Sequence, residues 1–410
     1  MKKWFRFGLV IVVFFFLVSV SVPPATAEEP IRIGVLAVLT GAFAQLGEDS
    51  VDGVKLAFEE VDYKIGGRPV KLSIEDTAAT PTLAVEKTRA VISRDNCQIV
   101  LGPLSGAEGL AVKKSADEWP NATIVVAASA AEDITMRGVK PNVWRCSFSG
   151  AQATFPLGEW AYEKGYRKMI TVGEDYAFPY AQVGGLLKTF CDAGGRVPKK
   201  FWVPIGTSDY SAIFPQIPKD IDVIYLCLSG TDAINFTRQM EDFGILGRKP
   251  ILGGTVTVDE TTLMQVGEQL EGVVSSSVFS GDLDRPELKS LDERFRKLRG
   301  RPTALFVELY YRATKWAILA LQKINGDVED QAAFREALQN TEFEAPAAHV
   351  SFDDYHNVVT DVFISEVKRI GDVYRNSPIK IYPKVSQFWK YDPEEYQKQP
   401  PYTRDFPDCP

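Results

Sequence analysis

Histidine is nearly absent from this chain: His349 and His356 are the only two in 410 residues. A zinc site or a histidine-based acid–base pair has almost nothing to be built from. Both lie in "HVSFDDYH", beside Asp353 and Asp354, in a stretch that reads as a late strand, where surface positions account for them. Cysteine is sparse as well. Cys97, Cys146, Cys191, Cys227 and Cys409 form no CxxC, which removes the thiol-redox and zinc-ribbon patterns. Their odd number leaves at least one unpaired in a monomer. Cys227 sits in an apolar run and reads as buried, and the pairing of all five stays open. No GxSxG elbow, P-loop or HExxH occurs, and the first turn lacks GxGxxG. The sequence therefore calls for no catalytic residues, no cofactor and no metal. Cationic excess is missing too: 46 Lys+Arg face 54 Asp+Glu, a net charge of -8. That dispersed acidic balance argues against nucleic acid and against an anionic membrane surface.

Long apolar runs are confined to the N-terminus. Lys2, Lys3 and Arg6 precede an apolar stretch from Gly8 to Val22, Pro23 and Pro24 break it, and Ala25-Thr26-Ala27 fits a small-x-small cleavage site. The stretch is short for a span of about 20 residues. Residues 1–27 are expected to be a cleaved signal peptide rather than an anchor, and the protein to be exported. Losing those three cations takes the net charge from -8 to -11.

What is present is an alternation of strand and helix patterns. "IRIGVLAVL" (31–39), "VKLSIED" (70–76), "CQIVLG" (97–102) and "TIVVAAS" (123–129) read as strands. Near-continuous apolar runs suit parallel strands covered on both faces. Val51, Val54, Phe58 and Val61 mark one face of an intervening helix, and Thr80-Pro81 opens another. After Ser149 the pattern restarts, with strands at 169–175, 222–230 and 250–255 and helices between them. From Arg285 helices follow, the longest with an apolar face from Phe306 to Ile324, then strand-like pieces near "HVSFD" and "VVTDVFISEVK". The expected class is α/β, two doubly wound units in succession, followed by a proline-rich tail extended over the surface.

The residues that follow the strands share a character. They are Thr40-Gly41-Ala42-Phe43, with Leu46 a turn later, then Ser105-Gly106, Ala128-Ser129-Ala130, Tyr176-Ala177-Phe178, Ser229-Gly230-Thr231 and Gly254-Thr255. In open parallel sheets, ligands bind beyond the carboxyl ends of the strands. Helix N-termini there present unpaired N–H groups and partial positive charge, and small residues let an anion reach them. Ser105 reads either as a hydroxyl and backbone N–H holding a carboxylate or as a plain helix N-cap. Tyr176 and Phe178 read either as pocket walls or as core aromatics.

The segment "IRIGVLAVLTGAFAQLGEDSVDGVKLAFEEVD" resembles the opening of the branched-chain amino-acid type of ABC-transporter solute-binding protein. "IVLGPLSG", "ITMRG" and "VGEDYAFPY" follow in that family's order, over nearly the whole chain beyond residue 27. The resemblance implies a type I periplasmic binding protein: two Rossmann-like lobes, each a mainly parallel sheet flanked by helices, joined by three crossovers. It implies residues 28–147 plus 282–346 for lobe 1, 148–281 plus 347–390 for lobe 2, and 391–410 as an extended C-terminal tail. Closure around the ligand would present a surface to a membrane permease, and a monomer is expected. By the same resemblance Ser105 binds a ligand carboxylate, and Ala128 to Ala130 contribute backbone and hydroxyl groups. Phe178 lines the pocket with Tyr176 close by, and Ser229 and Gly230 close it. After "ILGG" the family's amino-acid binders carry an acid to pair with the ammonium, whereas this chain has Thr255. Burying an ammonium without a carboxylate is costly. An aromatic or aliphatic acid is thus favoured over a plain amino acid. Branched-chain or other amino acids, small amides, and a sensory co-receptor of the same fold are the alternatives.

Overall fold

A computed structural model describes residues 29–409, together with Met1, Trp4 and Gly8. Apart from those three positions, the expected signal peptide lies outside the described residues. The chain begins with β1 (Ile31–Ala37), α1 (Ala44–Glu59), β2 (Lys64–Ile65), β3 (Arg68–Asp76), α2 (Pro81–Ser93), β4 (Ile99–Leu101), α3 (Gly106–Ser115), β5 (Thr123–Val126) and β6 (Val143–Arg145). These strands make a six-stranded sheet in the order β2-β3-β1-β4-β5-β6. It is parallel except for the β2-β3 hairpin. β4, β5 and β6 are buried along their whole length, because helices cover both faces and no strand face meets water.

A second α/β unit follows: α4 (Gly150–Glu163), β7 (Lys168–Glu174), α5 (Ala177–Asp192), β8 (Arg196–Val203), β9 (Val223–Cys227), α6 (Gly230–Asp242), β10 (Ile251–Gly253), α7 (Glu260–Val266) and β11 (Val274–Ser277). The chain then returns to the first unit with α8 (Pro286–Arg299), α9 (Leu305–Lys323) and α10 (Gln331–Gln339). The apolar face of α9 packs along α1, as its 3.6-residue periodicity requires. Finally β12 (Phe343–Glu344), β13 (His349–Phe352), β14 (Val358–Ile370) and β15 (Val373–Val385) join the second sheet, before α11 (Pro393–Gln397). That sheet is nine-stranded, in the order β12-β13-β14-β11-β10-β9-β7-β8, with β15 paired to β14. Its β8-β7-β9-β10-β11 portion is parallel. The chain thus passes between two lobes at residues 146–149, 278–285 and 340–342.

Charged groups are buried at those passages. Arg312 on α9 donates to Ser147 O at 2.9 Å and lies beside Glu308 at 3.7 Å, both side chains wholly buried. Arg145 donates through Nε to Asn357 at 2.6 Å and through Nη2 to Gln387 at 3.2 Å. Arg145 tolerates burial because its N–H groups find oxygen acceptors, whereas Arg312 relies on Ser147 O and the neighbouring Glu308 charge, its Nε and Nη1 having no hydrogen-bond partner among the described residues.

The structure departs from the sequence expectation in its last forty residues. β15 pairs along β14 where no second long strand was expected. Residues 391–409 contain the turn α11 and bury Tyr396 and Tyr402, so the segment is not simply extended over the surface. The reason is local: Glu132 accepts hydrogen bonds from Tyr396 OH and from Tyr402 N, both at 3.0 Å. That gives a polar anchor to two rings that bury their apolar area. A disulfide joins Cys191 to Cys409, and Cys97, Cys146 and Cys227 are free and buried.

Candidate functional site

The two lobes meet around a cavity lined by residues of both. Its first-lobe wall begins where β4 ends. The chain turns through Gly102 and Pro103, and Ser105, in extended conformation, caps α3. Ser105 Oγ accepts from Glu108 N at 3.3 Å, while the Glu108 carboxylate accepts from Ser105 N at 2.8 Å, a reciprocal capping box. The N-cap reading of Ser105 is therefore realised, and the site reading is compatible with it. The Ser105 side chain also bears on the Glu108 carboxylate, whose charged form it favours, while lining the cavity. Gly106 adjoins it at the cavity; a Cβ there would come within 3.2 Å of Phe178 Cβ from the other lobe.

Ala128 and Ala130, after β5, also line the cavity. Ser129 does not: its hydroxyl serves Ser105 O at 2.7 Å and Pro103 O at 2.8 Å, bracing the turn that presents Ser105. Phe43 and Leu46, at the start of α1, complete the part of this wall expected from sequence.

The second lobe supplies Tyr176, Phe178 and Ser229. Aromatic rings run across the cleft, from Phe43 to Tyr176, Tyr176 to Phe178 and Phe178 to Phe148, each pair with centroids 6.3 Å apart. That spacing lies within the range of favourable ring contacts. Ser229 precedes α6 and donates its N–H to Glu174 Oε1 at 3.0 Å. Gly230, the first residue of α6, faces a neighbouring interlobe groove rather than the cavity, with φ +54°. Thr255 is turned away: its hydroxyl donates to Ser276 O at 3.1 Å and meets Gln182 Nε2. Val256 lines the cavity instead.

Sequence reasoning missed Leu104, Phe148, Val256, Phe306 and Leu309. Phe306 and Leu309 belong to the apolar face of α9, where periodicity says only that the face is buried. It also missed two carboxyls behind the Ser229 wall. Glu174 and Asp232 are both buried, and the two carboxyls hydrogen-bond to each other. Burial first, and the nearby Asp232 charge second, hold the Glu174 pKa well above the usual carboxylate range. Burial raises that of Asp232.

No charged side chain lines the cavity. Asp175 pairs with Arg404 at 2.6 Å, and Asp232 accepts from Gly206 N at 2.8 Å, so neither replaces an ammonium partner in the lining. The positive potential comes from backbone: α3 starts at Gly106 and α5 at Ala177, both at the cavity edge. Their first N–H groups have no intrahelical acceptor. The arrangement can hold a small, mainly apolar molecule bearing an anionic oxygen pair.

The periplasmic binding protein family's sequence profile matches residues 30–372. The Leu/Ile/Val-binding protein homolog 6 of Brucella melitensis is 26% identical over 369 residues, covering 88% of this chain and 93% of that protein. The ABC transporter substrate-binding protein from Sphaerobacter thermophilus is 30% identical with a TM-score of 0.81, covering 88% of this chain and 99% of its own. A solute-binding protein of an ABC transporter from Rhodopseudomonas palustris BisB5, in complex with 3,4-dihydroxy benzoic acid, is 22% identical with a TM-score of 0.83, covering 88% and 99%. The two-lobed α/β architecture with its parallel-dominated sheets is that of these type I periplasmic binding proteins.

Proposed function

Because this chain belongs to the periplasmic binding protein family, we propose that it captures a small aromatic carboxylate between its lobes and delivers it to a membrane permease. Ser105, through its cavity-lining side chain and the adjoining N-terminus of α3, holds the carboxylate. Phe43, Tyr176 and Phe178 hold the ring, and Ala128, Ala130 and Ser229 close the walls. Ser129, Gly230 and Thr255 act indirectly, by bracing the Ser105 turn, allowing lobe contact and fixing the end of β10.

The observation that carries this reading is the lining: aromatic rings from both lobes, a serine hydroxyl, and no carboxylate to neutralise an ammonium. Burying an unpaired ammonium would cost several kcal/mol, of order 3–5 when one partner of a buried pair is missing. A carboxylate facing helix N-termini bears no such cost. Glu174 does not rescue an amino acid, since it lies behind the wall with its pKa raised and its charged form disfavoured. The benzoic acid held by the R. palustris neighbour is of the same ligand class. The Leu/Ile/Val-binding relatives represent the alternative.

In mechanism, each lobe alone offers half of the contacts. The ligand binds the closed form better than the open one and shifts the population toward it. The chain's own chemistry goes no further than binding and release. A thermal-shift panel of aromatic acids, aliphatic acids, amides and amino acids tests the reading. Aromatic acids are expected to raise the melting temperature, as ligands of the native state do. Stabilisation by leucine or valine alone would refute it.

A further inference from the structure

The family match ends at residue 372, yet the segment beyond 390 is tied into both lobes. We propose that residues 391–409 form a clasp that holds the lobes closed along the edge of the cavity carrying Ala130 and Tyr176. The clasp concerns the closing motion and holds whichever ligand fills the site.

Its attachment to the second lobe is extensive. Cys409 is disulfide-bonded to Cys191 near the end of α5. Trp202 Nε1 donates to Arg404 O at 3.1 Å, and Lys200 Nζ donates to Asp405 O at 2.9 Å. Arg404 pairs with Asp175, the neighbour of Tyr176, at 2.6 Å. The Tyr402 ring lies directly over Gly184 of α5, where an added Cβ would meet it at 2.2 Å. Its attachment to the first lobe runs through Glu132, two residues beyond Ala130. The Glu132 carboxylate takes Tyr396 OH on one oxygen and Tyr402 N on the other, each at 3.0 Å. Tyr396 OH also lies 2.8 Å from Tyr402 OH, and Arg137 Nε donates to Gln397 O at 3.1 Å. All of this is buried at Glu132, Tyr396 and Tyr402. If the lobes part, either the Glu132 contacts or the contacts with α5 must break. Breaking the former costs the buried Glu132 carboxylate two hydrogen bonds and leaves it Arg137 at 3.5 Å, and the disulfide forbids the segment from leaving α5 entirely.

Amide hydrogen exchange on the ligand-free full chain tests this. Leu305 N–H, at the start of α9, donates to Asp259 Oδ1 of the opposite lobe at 2.8 Å, so its protection reports closure. Tyr396→Phe removes the hydroxyl and keeps the ring against Phe155. It is expected to speed exchange at Leu305 several-fold, up to about tenfold for one hydrogen bond, with β1 and β4 amides unchanged. A second variant, Cys191→Ser with Cys409→Ser, should move Leu305 the same way. Unchanged Leu305 protection in both variants, or a rise shared equally by the strand amides, would overturn the clasp. No ligand is added, so this outcome is independent of the carboxylate reading.

Discussion

Ser105 shows how a structural residue can also be available to a ligand. Its oxygen accepts from Glu108 N, and the same side chain lines the cavity. Ser105→Ala is expected to lower affinity for the bound acid by about 1–3 kcal/mol, the scale of a lost charge-assisted hydrogen bond. It should also cost about 1 kcal/mol of stability through the lost cap. Calorimetry and denaturant unfolding measure the two separately, and a stability loss without an affinity loss would remove Ser105 from the site. Glu174 makes a pH prediction. Its folded pKa lies well above the ordinary 4.5, so the native state holds its proton where the unfolded chain has released it. Its contribution to stability is complete below about 4.5 and is lost as pH rises toward the folded value. Glu174→Gln should therefore gain stability relative to the parent as pH is raised from about 5 to 8. Parallel pH dependences in denaturant unfolding would contradict this.

At the scale of elements, the junctions between helices and strands decide both legibility and function. β1, β4, β7 and β9 were readable because parallel strands buried on two faces leave continuous apolar runs. The small and hydroxylic residues after them were readable as cavity-facing for the same topological reason. Which of them point inward was not readable. Ser129 and Thr255 look like Ser105 in sequence, but their hydroxyls are consumed by Pro103 O, Ser105 O and Ser276 O, contacts made across distant chain segments. Phe306 and Leu309 were hidden because an apolar helical face reads alike whether it meets a core or a cavity. Gly230 carries an element-level prediction. With φ +54°, an added Cβ would lie 2.5 Å from Ala42 O of the other lobe. Gly230→Ala should weaken ligand affinity about tenfold or more by obstructing closure, with both lobes still folded by circular dichroism; parent-like affinity would show that this contact does not limit closure. The Cys191–Cys409 disulfide closes a long loop, with a sequence separation of 218. Replacing both cysteines by serine should lower unfolding stability by about 2–4 kcal/mol, read from the denaturant midpoint. No measurable change would mean that the tail is held by its hydrogen bonds and packing alone.

For the whole molecule, two separately formed sheets and three passages between them make a cleft whose walls come from both lobes. This much of the plan was legible, since the α/β pattern restarts after Ser149 and returns to helices after Arg285. The tail was not legible, because its burial depends on Glu132, far away in the chain, rather than on any local periodicity. Among the described residues, no helix is long and apolar enough to cross a membrane. The central claim is that an unneutralised carboxylate is what the closed cleft recognises. Its most direct measurement is isothermal titration calorimetry of the parent protein with benzoate and other aromatic acids, each beside its own primary amide, and with leucine. The account predicts that an acid binds at least about tenfold more tightly than its amide, a difference of about 1.4 kcal/mol, and that leucine gives no heat. An amide binding as tightly as its acid, or tight binding of leucine, would contradict it.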